Sequence, residues 1–171
     1  MESLIEQYNK IALPEMMKKF GYKSKMAAPR LVKVVLNTGF GRQVAGKSNE
    51  EQKKIADFMA EDITAICGQK AIKTSAKKSI SSFKIRQGMC IGVKATLRGQ
   101  KMRDFIEKLI YIVLPRTRDF KGIDQKSVDK NGNLTIAIKE HIVFPEILAE
   151  KSKNIFGLEI TVNTTAKTKE E

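Results

Sequence analysis

Residues 90–98 read CIGVKATLR, with Ile91, Val93, Ala95 and Leu97 alternating against Lys94, Thr96 and Arg98. A strict period of two puts one set on each face of a strand, so this stretch is expected to be half buried, with a charged face left open. Just upstream, AIKTS (71–75) is a shorter extended piece, and a polar segment rich in Lys and Ser separates the two as far as Gly88.

Earlier in the chain, RLVKVVLN (30–37) is a β-branched run stopped by Asn37-Thr38-Gly39-Phe40-Gly41. Near the C-terminus, the turn signal Asp129-Lys130-Asn131-Gly132-Asn133 introduces the strand LTIAIKE (134–140), and LEITVNTT (158–165) follows Gly157. Helices fill the intervals. Residues 2–20 carry Leu4, Ile5, Tyr8, Ile11, Ala12, Met16 and Phe20 at helical spacing, but Pro14 predicts two short pieces with a break or kink. Ser48 caps a helix with the stripe Ile55, Phe58, Met59, Ile63 and Ile66, which stops at Gly68. A third helix starts at Gly99, carries Met102, Phe105, Ile106, Leu109, Ile110 and Val113 inward, and ends at Pro115.

The order α-β-α-β-β-α-β-β predicts an α+β fold. One antiparallel sheet has its helices on a single face and its other face open to a ligand. The 171 residues fit one domain, 1–171, with no repeat and no Pro-rich or Gly/Ser-rich linker, and the polar tail 167–171 is expected to fray.

The 32 Lys and Arg against 19 Asp and Glu give a net charge of +13, which calls for an anionic partner. Residues 70–103 hold ten cations and no acid: Lys70, Lys73, Lys77, Lys78, Lys84, Arg86, Lys94, Arg98, Lys101 and Arg103. Ten of the thirteen net charges thus fall in one fifth of the chain, which points to a localised anion-binding surface rather than a generally solvated one. Residues 74–88 (TSAKKSISSFKIRQG) mix these cations with hydroxyls and Phe83, a set suited to phosphates, 2′-hydroxyls and a stacked base. RNA fits better than a DNA groove, since no basic recognition helix is present.

Several chemistries are disfavoured. Cys67, Cys90 and the single His141 do not have metal-ligand spacing, so no metal site and no cofactor are expected, and both thiols are expected to be reduced and buried. His141, flanked by Glu140 and Glu146, has no nucleophile or oxyanion motif beside it, and an enzyme is not expected. With no long apolar run and no basic-then-apolar leader, a soluble, cytoplasmic protein without membrane association is expected. One rival stands out. Gly41-Arg42-Gln43-Val44-Ala45-Gly46-Lys47-Ser48 satisfies the phosphate-loop pattern G-x-x-x-x-G-K-[ST] between a strand and a helix. Against it, no later apolar strand ends in an Asp to hold magnesium, and the repeated β-α units of a parallel nucleotide-binding sheet are missing.

Read together, PRLVKVVLNTGFG, ICGQKAIKTSAKKSISSFKIRQG, IGVKATLRGQKM, LPRTRDFKG, HIVFPEI and GLEITVNTTAKT resemble the bacterial large-subunit ribosomal protein number five, the family that binds 5S rRNA. The resemblance runs in unbroken order from about residue 2 to 169. It implies a five-stranded antiparallel sheet in the central protuberance whose open face grips 5S rRNA through Asn37, Gln69, Lys70, Thr74, Phe83, Lys94, Thr96 and Arg98. It also implies that the loop Ser75 to Gly88, with Lys77, Lys78, Ser79, Lys84 and Arg86, reaches the elbow of peptidyl-site tRNA. Lys139 to Gly157 is similar to the part that bridges to small-subunit protein number thirteen. Large-subunit rRNA and neighbouring large-subunit proteins are further implied partners, and no homo-oligomer is expected. Many members continue past TTAKT with a terminal helix, whereas this sequence stops at Glu171, which implies a surface left uncovered or otherwise compensated.

Overall fold

A computed structural model describes residues 3–118, 120–148 and 154–171. Its five strands are β1 (Leu31–Gly39), β2 (Ile72–Ser75), β3 (Cys90–Leu97), β4 (Leu134–Ile138) and β5 (Leu158–Thr164). They form one sheet in the order β2-β3-β1-β5-β4, and every neighbouring pair is antiparallel. The α+β class and the one-sided sheet expected from the sequence are what the molecule has.

The inward residues explain why all the helices lie on one side. Val34 and Leu36 of β1, Val93, Ala95 and Leu97 of β3, and Leu158, Ile160 and Val162 of β5 are buried in one cluster. Two long helices cover them. Helix α3 (Asn49–Cys67) contributes Ala56, Met59, Ile63 and Ile66, while a helix beginning with Gly99–Lys108, α4, contributes Met102, Phe105, Ile106, Leu109 and Val113. Each large apolar side chain removed from water contributes about 1.5–3 kcal/mol, so these stripes hold the helices in place more than intrinsic propensity does. Ile110, expected on the inner stripe, is exposed, because it lies around the helix from Leu109 and Val113. Helix α3 begins with a capping box in which Ser48 and Glu51 satisfy each other's backbone amides. Its last turn is closed by lysines of α4: Lys108 Nζ donates to Ile66 O at 2.7 Å and Lys101 Nζ to Gly68 O at 3.0 Å.

The two helix prolines do not break their helices as the sequence suggests. The N-terminal helix α1 runs through Leu4–Gln7, Tyr8–Ala12 and Leu13–Phe20, and its middle segment is a π-helical turn placed just before Pro14. Helix α4 does the same, passing from Gly99–Lys108 through the π-helical Leu109–Val113 to Leu114–Arg116, which contains Pro115. A wider turn relieves the clash between a proline ring and the carbonyl four residues back and absorbs its missing N–H, so the axis continues. The two helices then touch: Leu4 N donates to Glu107 Oε1 at 2.8 Å and Gln7 Nε2 to Tyr111 Oη at 2.9 Å. Glu2, the first residue of the expected N-terminal helix, lies outside the described residues.

Smaller differences follow from local packing. Strand β1 continues through Thr38 and Gly39, past the expected stop, because these residues still pair with Val93 and Gly92 of β3, and Thr38 Oγ1 also donates to Gly157 O at 2.8 Å. Strand β4 ends at Ile138, where the chain turns to bury His141. Both thiols are free, but Cys90 is half-buried rather than buried, as it sits at the start of β3. Burial raises the Cys67 thiol to about 11, which leaves it inert. Residues 167–169 form exposed bends and Glu171 is half-buried, its Oε2 accepting from Lys167 N at 2.6 Å.

His141 is wholly buried and stacked on Phe156, 3.9 Å between ring centres. Its Nδ1 accepts from Phe156 N at 3.3 Å, which leaves Nε2 as the protonated nitrogen facing Asp62 Oδ2 at 3.4 Å. Burial pushes the imidazole below its usual 6.5, against the upward pull of Asp62, and burial pushes the Asp62 carboxyl up.

This packing makes the fold sensitive at two places. A Cβ on Gly92 would lie 2.9 Å from Thr38 O and 2.8 Å from Thr74 Oγ1, and the carbonyl cannot move without disturbing β1. Gly92→Ala is expected to destabilise the fold by about 1–3 kcal/mol in urea unfolding; a wild-type midpoint would refute the close approach. The second place responds to pH. The unfolded imidazole takes up a proton below about 6.5 more readily than the native one, so this group's stability is full above 6.5 and lost as pH falls toward the native value. The raised Asp62 has the opposite sign, its native form gaining as pH falls toward 3.8. Between pH 7.5 and 6.0 the single histidine governs. Tm should fall across that window, by at most roughly 3 °C for a single proton, and His141→Gln, though less stable throughout, should remove most of the slope.

Candidate nucleic-acid interface

Antiparallel register decides which outward side chains meet. Across all five strands, Ile72, Lys94, Asn37, Glu159 and Ala137 lie side by side in one row. The next row holds Thr96, Val35, Thr161 and Thr135, and a third brings Thr74 beside Gly92 and Gly39. The helices pack on the opposite face, so these rows form an open surface of hydroxyls, an amide, a lysine and the Glu159 carboxylate, interspersed with Ile72, Val35 and Ala137.

Of the residues singled out from the sequence, Asn37, Thr74, Lys94 and Thr96 are thus brought together on this face. Gln69 holds the rim, its Nε2 donating to Thr96 O at 3.0 Å, and exposed Lys70 precedes β2. Exposed Arg98 extends the parity of Lys94 and Thr96 from extended backbone at the entry to α4. The sequence reading missed Lys33, Thr135, Glu159, Thr161 and Asn163, which share this face. Alternation in RLVKVV, LTIAI and LEITVN was the signal that could have found them.

The segment after β2 is more ordered than a plain loop. Ala76 N donates to Met89 O at 2.8 Å and Gly88 N to Ala76 O at 3.0 Å, extending the β2–β3 ladder. Beyond it, Ile80 and Ile85 exchange backbone hydrogen bonds of 2.9 and 3.1 Å, so the tip is the four residues Ser81 to Lys84. Ser79 Oγ accepts from Gln87 N at 2.9 Å and braces the stalk. Lys84 adopts φ of 52°, unusual for a residue with a side chain. Lys77, Lys78, Lys84 and Arg86 are exposed along this hairpin, and Phe83 stands 61% exposed at its tip, with that group rather than with Asn37 on the sheet.

The ten cations do not form one surface. Lys73 points to the helix side of the sheet edge and pairs with Asp57 of α3, Lys101 closes α3, and Arg103 belongs to α4. The sheet, the hairpin and the helix layer each take a share.

The phosphate-loop match takes a different shape from the one that pattern requires. Gly41–Val44 form a short helix, α2, whose Val44 is buried. Amides of Gln43, Val44, Ala45 and Lys47 donate within the turn, to Phe40, Phe40, Gly41 and Val44 carbonyls, and Ser48 N donates to Glu51 Oε2. Those donors are therefore spent on the protein rather than converging on a phosphate, and Ser48 caps a helix instead of facing a metal. Among the described residues no cluster of metal-ligating side chains occurs, and no helix is long and apolar enough to cross a membrane.

Residues 24–86 match the Ribosomal protein L5 family, and residues 90–171 match the C-terminus of the same ribosomal family. The chain belongs to the ribosomal protein L5 family. It is 49% identical over its whole length to large ribosomal subunit protein uL5 of Halothermothrix orenii, covering 92% of that protein. It is 50% identical to the uL5 protein of Fervidobacterium nodosum over 98% of this chain and 88% of that protein. The uL5 protein of Buchnera aphidicola is 47% identical over the whole chain and 92% of its own length. The two matched segments are not separate folding units: β1 and β2 come from the first, β3, β4 and β5 from the second, and β1 pairs with both β3 and β5. As an L5 protein the chain is a structural, non-enzymatic component of the large ribosomal subunit.

Proposed function

We propose that this L5 protein binds 5S rRNA on the open face of its sheet, in the central protuberance, and reaches peptidyl-site tRNA with the β2–β3 hairpin. The observation that carries the reading is the uncovered row in which Lys94 and Asn37 stand side by side, with Thr96 and Thr74 in the adjoining rows. Lysine supplies phosphate attraction, while the amide and hydroxyls suit 2′-hydroxyls and base edges. Glu159 sits directly beyond Asn37 and repels phosphate, so the RNA backbone is expected to follow the β2–β3 side of the face, leaving Thr161 and Thr135 for sugar contacts. Lys77, Lys78, Ser79, Lys84, Arg86 and Phe83, projecting beyond the sheet on a braced stalk, suit the tRNA elbow. A bridge to small-subunit protein number thirteen is proposed for Lys139 to Gly157, of which residues 149–153 lie outside the described residues.

Affinity then comes largely from released counterions and selectivity from a preformed surface. With about 5 phosphates neutralised, the log-log salt slope of 5S rRNA binding should be near −4. In a gel-shift titration with excess tRNA as competitor, Lys94→Ala should weaken binding and flatten that slope by about one unit, while Asn37→Ala should weaken it with the slope unchanged. Binding abolished by the tRNA competitor would mark a generic basic protein. Wild-type affinity and slope in both variants would exclude the sheet face.

A further inference from the structure

On the other side of the β2 edge, between the hairpin and the start of α3, lies a cleft of about 1160 Å³. It is larger than the roughly 300–1,000 Å³ of small-molecule sites, and so has room for a segment of a polymer. Its cations come from both walls: Lys47 and Lys53 from the α3 side, Lys84 and Arg86 from the hairpin, and Lys73 from β2. Lys73 is neutralised by Asp57, whereas the other four make no ion pair among the described residues. Between them are apolar groups, Ala56, Ile80, Ile85 and Met89, together with the amides of Asn49, Gln52 and Gln87.

We propose that this cleft is a second RNA site, seating a short single-stranded stretch distinct from the RNA on the open face. Unpaired cations on two facing walls match a chain charged at every residue, and an aliphatic floor edged by amides suits unstacked bases. A double helix would present its phosphates outside and its bases out of reach of such a floor. The site also gives a place to Lys47 and Gly46 of the phosphate-loop match, as rim residues of an RNA groove. It shares Ser79, Lys84 and Arg86 with the loop assigned to tRNA, but stands on the cleft's own geometry, and the α3 wall belongs to neither proposed surface.

The test uses the full chain with fluorescein-labelled octauridylate and octaadenylate, followed by anisotropy and by methyl resonances. Expected is binding that shifts the Ile80, Ile85 and Met89 methyls while leaving the Val35 and Thr161 methyls of the open face in place. The double variant Lys47→Glu/Lys53→Glu, with native circular dichroism, should lose about tenfold or more of that affinity, and Lys47→Arg/Lys53→Arg should retain it. Binding of 5S rRNA should stay within about twofold in both variants. Failure of the open-face reading would instead appear in Lys94→Ala and Asn37→Ala, which leave this wall untouched. The proposal is overturned by an absence of oligonucleotide binding, by shifts confined to the open face, or by 5S rRNA affinity falling in step with octanucleotide affinity. It is equally overturned if tripolyphosphate or an octaglutamate peptide binds as tightly and shifts the same methyls, which would leave a plain anion site or an acidic-peptide groove.

Discussion

Strand β1 is hydrogen-bonded on both edges, to β3 and to β5, and its register fixes the face of every side chain in the sheet. Val34 and Leu36 are fully buried beneath the helices while Asn37 is exposed on the opposite side. A slip of one residue would exchange those roles, exposing two core side chains and burying an unpaired amide. Because one face is apolar and the other polar, that exchange is strongly disfavoured, and the open surface inherits its precision from the core behind it. Gly92 adds a steric lock, since only a residue without a Cβ fits between Thr38 and Thr74.

The helix layer depends on continuity. Two prolines fall in the two helices that pack on each other, and in both a π-helical turn directly upstream lets the axis pass. A break at Pro14 would separate Leu4 and Gln7 from Glu107 and Tyr111, and with them the hydrogen bonds that attach the N-terminal helix. Beneath the helices, Phe144, His141 and Phe156 close the core at the end of β4, where a protonated Nε2 faces the buried Asp62 oxygen. This arrangement explains why a lone histidine beside two glutamates is structural.

Charge is distributed around this frame by strand parity. Lys94 and Lys73, both within the basic stretch, point to opposite faces of the sheet, as Lys94 opposes Ile72 and Lys73 opposes Val93. The basic region therefore feeds two surfaces on either side of the β2 edge, with the hairpin belonging to both. Linear clustering of cations points to an anionic partner but does not reveal that strand parity divides those cations between two faces of the sheet.

Much of the molecule was legible in the sequence. Period-two alternation assigned Lys94, Thr96 and Arg98 to an open face, helical stripes identified Met59, Ile63, Met102 and Phe105 as core, and the excess of Lys and Arg pointed to an anionic partner. These are local properties, written within a few residues of one another. Strand order is not local. That Asn37 stands between Lys94 and Glu159 follows from pairing β1 with β3 and β5, contacts between distant segments whose pattern alone permits several neighbours. The same holds for the cleft, whose walls come from residues 46–53 and 79–90 and meet only once α3 has packed on the sheet. The phosphate-loop letters mark the limit of local reading: only folding decided that their amides close a turn and that Ser48 caps a helix, because a backbone donor can be spent only once.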